Sequence, residues 1–292
     1  MSGTGAKFDR FLVNIQLTKP QIDDAITKHT GVRKALHSYY YSGAYDGSTS
    51  LLVGSYGKDT AVRPPSDIDI LFKMPANLFD RYNSSSSNGQ SQLLQDVKNV
   101  LKKTYLNTDM RGDGQVVMVP FVSFAVEVAP AFALSSGGYY IPDTHNGGSW
   151  KLSNPESEMK RLTDSNVRSL GKTVHLIKIM KVWKRACNVP IKSLALELMA
   201  VDFLAGWPYF DKSSTYYDWM IRDFADYMLQ KVGGWNIVPG TTELYSYGDG
   251  WKSRVESALG KAKKACDYEN DDQKDAEATA EWKKIFGDLF PG

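Results

Sequence analysis

Two aspartates, Asp67 and Asp69, flank a single isoleucine in the run 51–74, LLVGSYGKDTAVRPPSDIDILFKM, about a dozen residues after a Gly54-Ser55 pair. In a β-strand, alternate side chains share a face. The two carboxylates therefore project from one side about 6.6 Å apart along the backbone, while Ile68, Ile70 and Phe72 take the other. Carboxylates this close repel each other, and a divalent cation removes the penalty. Hard oxygen ligands at this spacing suit Mg²⁺ or Mn²⁺ better than softer metals. The Gly-Ser pair has chemistry of its own: a glycine lets backbone N–H groups and the neighbouring hydroxyl approach phosphate oxygens. An Asp-x-Asp pair alone is more often a solvated turn than a metal site; the apolar surroundings and the preceding Gly-Ser favour catalysis here.

Elements to hold these groups are legible on both sides. Residues 20–40 carry helix signals, with Pro20 near the start and Asp23 and Asp24 in the first turn; a break near Gly31 leaves open one long helix or two short ones. Residues 50–54 read as a short strand running into the Gly-Ser turn, and 68–73 as the strand that carries the acids. The stretch SSSSNG at 84–89 reads as a flexible loop, followed from Ser91 by a helix buried along Leu93, Leu94, Val97, Val100 and Leu101. Residues 115–133 form two strands turning near Pro120, and Glu127 interrupts the second. Residues 139–154, rich in Gly, Pro, Asp and Asn, read as a functional loop or linker. Beyond them the pattern is helical: 157–169, 172–187, 192–205, 216–229, 251–266 and 275–286. The acidic stretch 267–277 reads as a loop and exposed helix start, and the Phe290-Pro291-Gly292 end as disordered.

Composition bounds the class. Of 292 residues, 42% are hydrophobic and 12% aromatic, enough for a packed core. A net charge of +2, from 35 basic and 33 acidic residues, gives no overall field to recruit long nucleic acid or a membrane surface. Two cysteines without a CxxC pair and four histidines without zinc-ligand spacing argue against a structural zinc. Residues 1–16 lack the apolar core of a signal peptide and no run approaches a membrane span, so the expectation is a soluble, cytoplasmic protein.

The order Gly54-Ser55, Asp67-Ile68-Asp69, then Glu127 in a later strand resembles the nucleotidyltransferase superfamily with the polymerase β-like fold. The wording GSYGKDTAVRPPSDIDILF resembles most closely the bacterial CD-NTase family, relatives of cyclic GMP-AMP synthase and oligoadenylate synthase. VEVAPAF around Glu127, a loop with IPD and Trp150, the helix IKIMKVWKR and the following KSLALELM extend the resemblance over essentially the whole chain. It implies an α+β fold: a nucleotidyltransferase core of mixed sheet and helices over 1–150, a helical lobe over 151–292, and an active site in the cleft between them.

The resemblance also implies the chemistry. Asp67, Asp69 and Glu127 would hold two Mg²⁺ ions, with Mn²⁺ a substitute, and join nucleoside triphosphates into cyclic di- or trinucleotide second messengers with release of pyrophosphate. Substrates would be ATP, GTP or pyrimidine NTPs. Gly54 and Ser55 would bind the nucleotide, Lys181 and Ser193 its β- and γ-phosphates. Lys178, Lys181 and Arg185 would form a basic helix stripe opposite Ile179 and Val182. A Glu stands where many relatives have a third Asp, and Leu194 where many have a base-stacking aromatic. The implied setting is anti-phage signalling of the CBASS type, in which the product activates a separate effector; no membrane and no stable nucleic-acid partner is expected. Competing readings are a template-independent polymerase making linear oligonucleotides or tailing RNA, and an inactive nucleotide-binding scaffold. Ser193 reads equally as a helix N-cap, Trp150 as a packing residue, and the lysines as ordinary helix surface.

Overall fold

A computed structural model describes residues 3–269 and 271–292, and the chain divides into two compact units. One consists of 17–159 with 239–241, the other of 1–16, 160–238 and 242–292.

The first unit is built on a seven-stranded mixed sheet. Strands β1 (Ser50–Leu52), β2 (Ile68–Lys73), β3 (Arg111–Asp113), β4 (Val116–Pro120) and β5 (Ala125–Ala133) lie in the order β1-β2-β5-β4-β3. Only β2 and β5 run parallel among the pairs of this path. Alternation decides which face is core. Ile68, Ile70, Phe72, Val117, Val119, Val126 and Val128 are all fully or almost fully buried, packed with residues of helices Lys19–Tyr40 and Gly89–Lys102.

Both helices follow from local sequence. Thr18 closes a capping box with Gln21, accepting from its N–H while the Gln21 side chain accepts from the Thr18 N–H. Ala25, His29, Val32 and Leu36 then bury one stripe. The helix runs unbroken through Gly31, where a Cβ would come within 2.8 Å of the Tyr105 hydroxyl; close approach, not a chain break, explains that glycine. Asn88 caps the second helix by accepting from the Ser91 N–H at 2.8 Å.

Residues 139–154 are not a loop or linker. They form a hairpin, β6 (Tyr139–Asp143) and β7 (Ser149–Ser153), that pairs onto β5 through Phe132 and Ala133. The misleading signals were real but local: Pro142 lies within β6 opposite Trp150, and Asn146, Gly147 and Gly148, all with positive φ, are confined to the turn. Trp150 packs against Phe79 and Phe132 with ring centroids at 5.2 and 5.6 Å, and its indole N–H donates to Asn83 at 3.0 Å.

The second unit is mainly helical: Thr4–Ile15, Lys172–Ala186, Ser193–Gly206, Tyr217–Leu229, Lys252–Glu269 and Asp275–Phe286, with most of Pro155–Arg168. It is not all-helical, because β8 (Trp235–Ile237) and β9 (Leu244–Ser246) form a small hairpin. Asn236 of this hairpin donates to Asp202 on the Ser193–Gly206 helix at 2.7 Å. The boundary expected at residue 150 is corrected at both ends. Phe8 and Phe11 on the first helix stack edgewise on Trp282 and Phe290 and tilted on Phe286, which carries 1–16 into the helical unit. The β6–β7 hairpin carries 151–159 into the sheet unit. Nor is the chain end disordered: Phe290 is 1% exposed. Within 267–277, helix continues to Glu269 and resumes at Asp275 after a short 3-10 turn; Asn270 lies outside the described residues. No described helix is long and apolar enough to cross a membrane.

Candidate active site

The β2–β5 register sets Asp69 directly opposite Glu127, on the face turned away from the valine and isoleucine core. Asp67 sits one residue before β2, and its Oδ1 accepts from the Ala125 N–H at 2.7 Å, which ties the start of β2 to the start of β5. Glu127 is half-buried. Burial first, then the charges of Asp69, Asp67 and Asp113, push its carboxyl up to about 7. Asp113 on β3 is a fourth acid that sequence reasoning missed; no motif marks it.

Gly54 opens the short helix Gly54–Gly57 with φ +58°, and a Cβ there would overlap the Asp69 carboxylate. Both facts demand glycine. Sequence alone assigns Gly54 to phosphate approach; the structure adds that it is the neighbour of a candidate catalytic acid. Ser55 Oγ lies 3.3 Å from Ser66 Oγ. Lys58, next along, makes an ion pair of 2.7 Å with Glu158, the two side chains only 7% and 18% exposed, which fixes the Gly-Ser turn to the Pro155–Arg168 helix. Neither Lys58 nor Glu158 is conspicuous in the sequence.

Hard carboxylate oxygens on one face are the donor chemistry of a Mg²⁺ or Mn²⁺ site. Their rotamers do not close a cage: among the described residues, no three His, Cys, Asp or Glu side chains are grouped as metal ligands. Asp67 turns to the Ala125 N–H, and the Asp69 carboxylate lies against Gly54.

Lys181 and Ser193 belong to the helical unit. Lys181 pairs with Glu197 at 3.0 Å, both side chains about nine-tenths buried. Ser193 is not the N-cap of its helix: that position is Lys192, and no side chain caps it. Instead Ser193 Oγ accepts from Lys184 Nζ at 3.4 Å, and burial lowers the Lys184 ammonium. Of the expected stripe, Lys178 is buried, Lys181 is paired and Arg185 is exposed. Lys184 and Glu197 are the residues the sequence reading missed. A charged residue inside the otherwise apolar LALELMA run was the available signal for Glu197.

Known proteins resemble this chain in family and in fold. Residues 1–166 match the Second Messenger Oligonucleotide or Dinucleotide Synthetase domain. A cyclic AMP-AMP-AMP synthase of Acinetobacter sp. is 25% identical over 310 aligned residues, covering 99% of this chain and 85% of that protein. The fold matches Vibrio cholerae DncV cyclic AMP-GMP synthase solved with nonhydrolyzable GTP (TM-score 0.74, 15% identity, 96% of this chain and 93% of that one). It also matches E. coli MS115-1 CdnC in its HORMA-deltaN complex (TM-score 0.70, 19% identity, 98% of each chain). The chain therefore belongs to the Second Messenger Oligonucleotide or Dinucleotide Synthetase family, the bacterial CD-NTases, α+β nucleotidyltransferases that make cyclic oligonucleotide second messengers from NTPs.

Proposed function

We propose that this protein joins ATP, GTP or pyrimidine NTPs into a cyclic di- or trinucleotide by Mg²⁺-dependent nucleotidyl transfer at Asp67, Asp69 and Glu127. The observation that carries the reading is the pairing of Asp69 with Glu127 on one sheet face, with Gly54 packed on Asp69. Asp67, Asp69 and Glu127 would hold two Mg²⁺ ions, or Mn²⁺ in their place; bound there, the ions would supply orientation of the α-phosphate and acidify the attacking hydroxyl. The protein's part is positional. Gly54 and Ser55 hold the donor triphosphate against the first turn of the Gly54–Gly57 helix, and Glu127 sits where the attacking 2′ or 3′ hydroxyl gives up its proton. The same acids serve each bond, the linear intermediate turning over before ring closure. On the strength of the family resemblance, Lys181 and Ser193 contact the β- and γ-phosphates.

The CBASS-type setting, a cytoplasmic location and a separate product-activated effector are part of the same proposal and rest on kinship alone. Incubation with labelled NTPs and Mg²⁺ followed by phosphatase tests the reaction. A phosphatase-resistant product of cyclic mass is expected. Labelled linear oligomers would transfer the assignment to a template-independent polymerase, and no product would leave a nucleotide-binding scaffold.

A further inference from the structure

One row of side chains crosses the acid-bearing face beyond the acids themselves. Register pairs Asp69 with Glu127, Glu127 with Met118, and Met118 with Arg111, so that four neighbouring strands contribute in line a carboxylate, a carboxylate, a thioether and a guanidinium. Strands lie about 4.8 Å apart, which puts Met118 about 5 Å and Arg111 about 10 Å past Glu127 at the Cα positions. The parity is fixed independently by the opposite face, where Val117, Val119, Val126 and Val128 are in the core.

Met118 is half-buried and belongs to neither of the two apolar clusters described for this unit. Arg111 has a side chain 76% exposed, and its ion pair with the equally open Asp109, at 3.5 Å, is too exposed to immobilise it. Neither residue is explained by packing.

Direction gives the row a meaning. The Gly54-Ser55 turn follows β1, on the side of β2 away from β5, so the donor triphosphate of the proposed reaction lies on that side of Asp69. The attacking hydroxyl comes to Glu127. The nucleoside that carries this hydroxyl must then extend over β4 and β3. We propose that Met118 and Arg111 form the platform for the acceptor nucleotide and select a purine there. This inference rests on the nucleotidyltransferase reading of Asp67, Asp69 and Glu127. A polarizable thioether packs well against an aromatic ring face, and a guanidinium fork hydrogen-bonds the N7 edge that both purines share, most completely the N7 and O6 of guanine.

The test separates the two nucleotides by chemistry. A dideoxy-NTP has no hydroxyl to attack with and serves only as donor; a 5′-monophosphate has no pyrophosphate to lose and serves only as acceptor. With labelled dideoxy-ATP as donor and AMP, GMP, CMP or UMP as acceptor, wild type should extend the purine monophosphates preferentially. Arg111→Ala and Met118→Ala should raise the acceptor KM at least about tenfold and leave the donor KM within about twofold. Arg111→Lys, which keeps the charge but not the fork, should lose the purine preference. Both positions are open enough for the variants to fold, which an unchanged thermal midpoint verifies. An acceptor KM unmoved in both alanine variants overturns the platform. So does a wild type that consumes NTPs yet extends no purine monophosphate. A wild type that consumes no NTP fails at the acids instead, and the underlying reaction falls with it.

Discussion

Two carboxylates in this molecule are held near the same acidity for opposite reasons. Glu127 in the sheet unit and Glu269 in the helical unit are both pushed up to about 7, with burial the largest cause of each. Around Glu127 every further contribution has the same sign, from Asp69, Asp67 and Asp113. Around Glu269 the contributions are mixed: Asp218 and Asp275 raise it, while Lys7 and the Trp282 indole N–H, which donates at 2.7 Å, lower it. Thr4 also donates to Glu269. Nearby, Asp218 is 5% exposed and raised to about 6 by burial, and its Oδ1 has no hydrogen-bond partner among the described residues. A raised carboxyl is therefore not itself a site. What distinguishes the sheet is that the three charges acting on Glu127 are all of its own sign, a condition that an added cation relieves.

The largest effect should come from the sheet acids. Asp67→Asn or Asp69→Asn should lower product formation on the order of a thousandfold, about 4 kcal/mol of barrier, without lowering the thermal midpoint, since a repelling charge is removed. Retained activity in a product assay would place Asp67 and Asp69 with Glu269, as ordinary structural acids. Next comes Gly54→Ala, which adds a Cβ against Asp69 and forces an L-residue to φ +58°. About 1–2 kcal/mol of stability should be lost with most of the activity, read by thermal melting and initial rates.

The buried acids predict a pH effect in the other unit. Asp218 and Glu269 have folded-state pKa values above their unfolded ones, so their protonated forms favour the native state fully below about pH 4. That support is lost progressively as pH rises through about 6 to 7, and is flat above. Asp218→Asn should therefore leave stability at pH 4 unchanged and raise it at pH 8 by about 1–3 kcal/mol, measured by urea unfolding. The smallest effect is expected at Trp150→Phe. Loss of its bond to Asn83 should cost about 1 kcal/mol and leave turnover unchanged, as suits a packing residue.

Where sequence reasoning succeeded, one local pattern carried the answer. The alternation in DIDILF set the acids on the face opposite Ile68, Ile70 and Phe72, which are core, whereas Glu127 was legible only as an interruption of its strand. It failed where the deciding partner lay far along the chain. Pro142 and the glycines made residues 139–154 look irregular, but pairing with β5 makes them strand. Lys58 was silent until Glu158, a hundred positions on, gave it a partner. Ser193 has the chemistry of a cap, yet the helix begins one residue too early for it to serve as one. The Trp235–Ile237 and Leu244–Ser246 strands, three residues each, are too short to show a period at all.

The helical unit is assembled from segments that are neighbours in space and strangers in sequence. Asn14 donates to the carbonyl of Leu289, 275 positions later, and Phe8 and Phe11 find their aromatic partners at the same distant end. During synthesis the Thr4–Ile15 helix is made long before Trp282, Phe286 and Phe290, and its apolar stripe is covered in full only once they appear. The sheet unit, nearly contiguous from 17 to 159, can close in the meantime. Translation thus makes the acid-bearing stretch before it completes the helical unit, so a nascent chain arrested before Phe286 should leave Phe8 and Phe11 without their partners at Phe286 and Phe290.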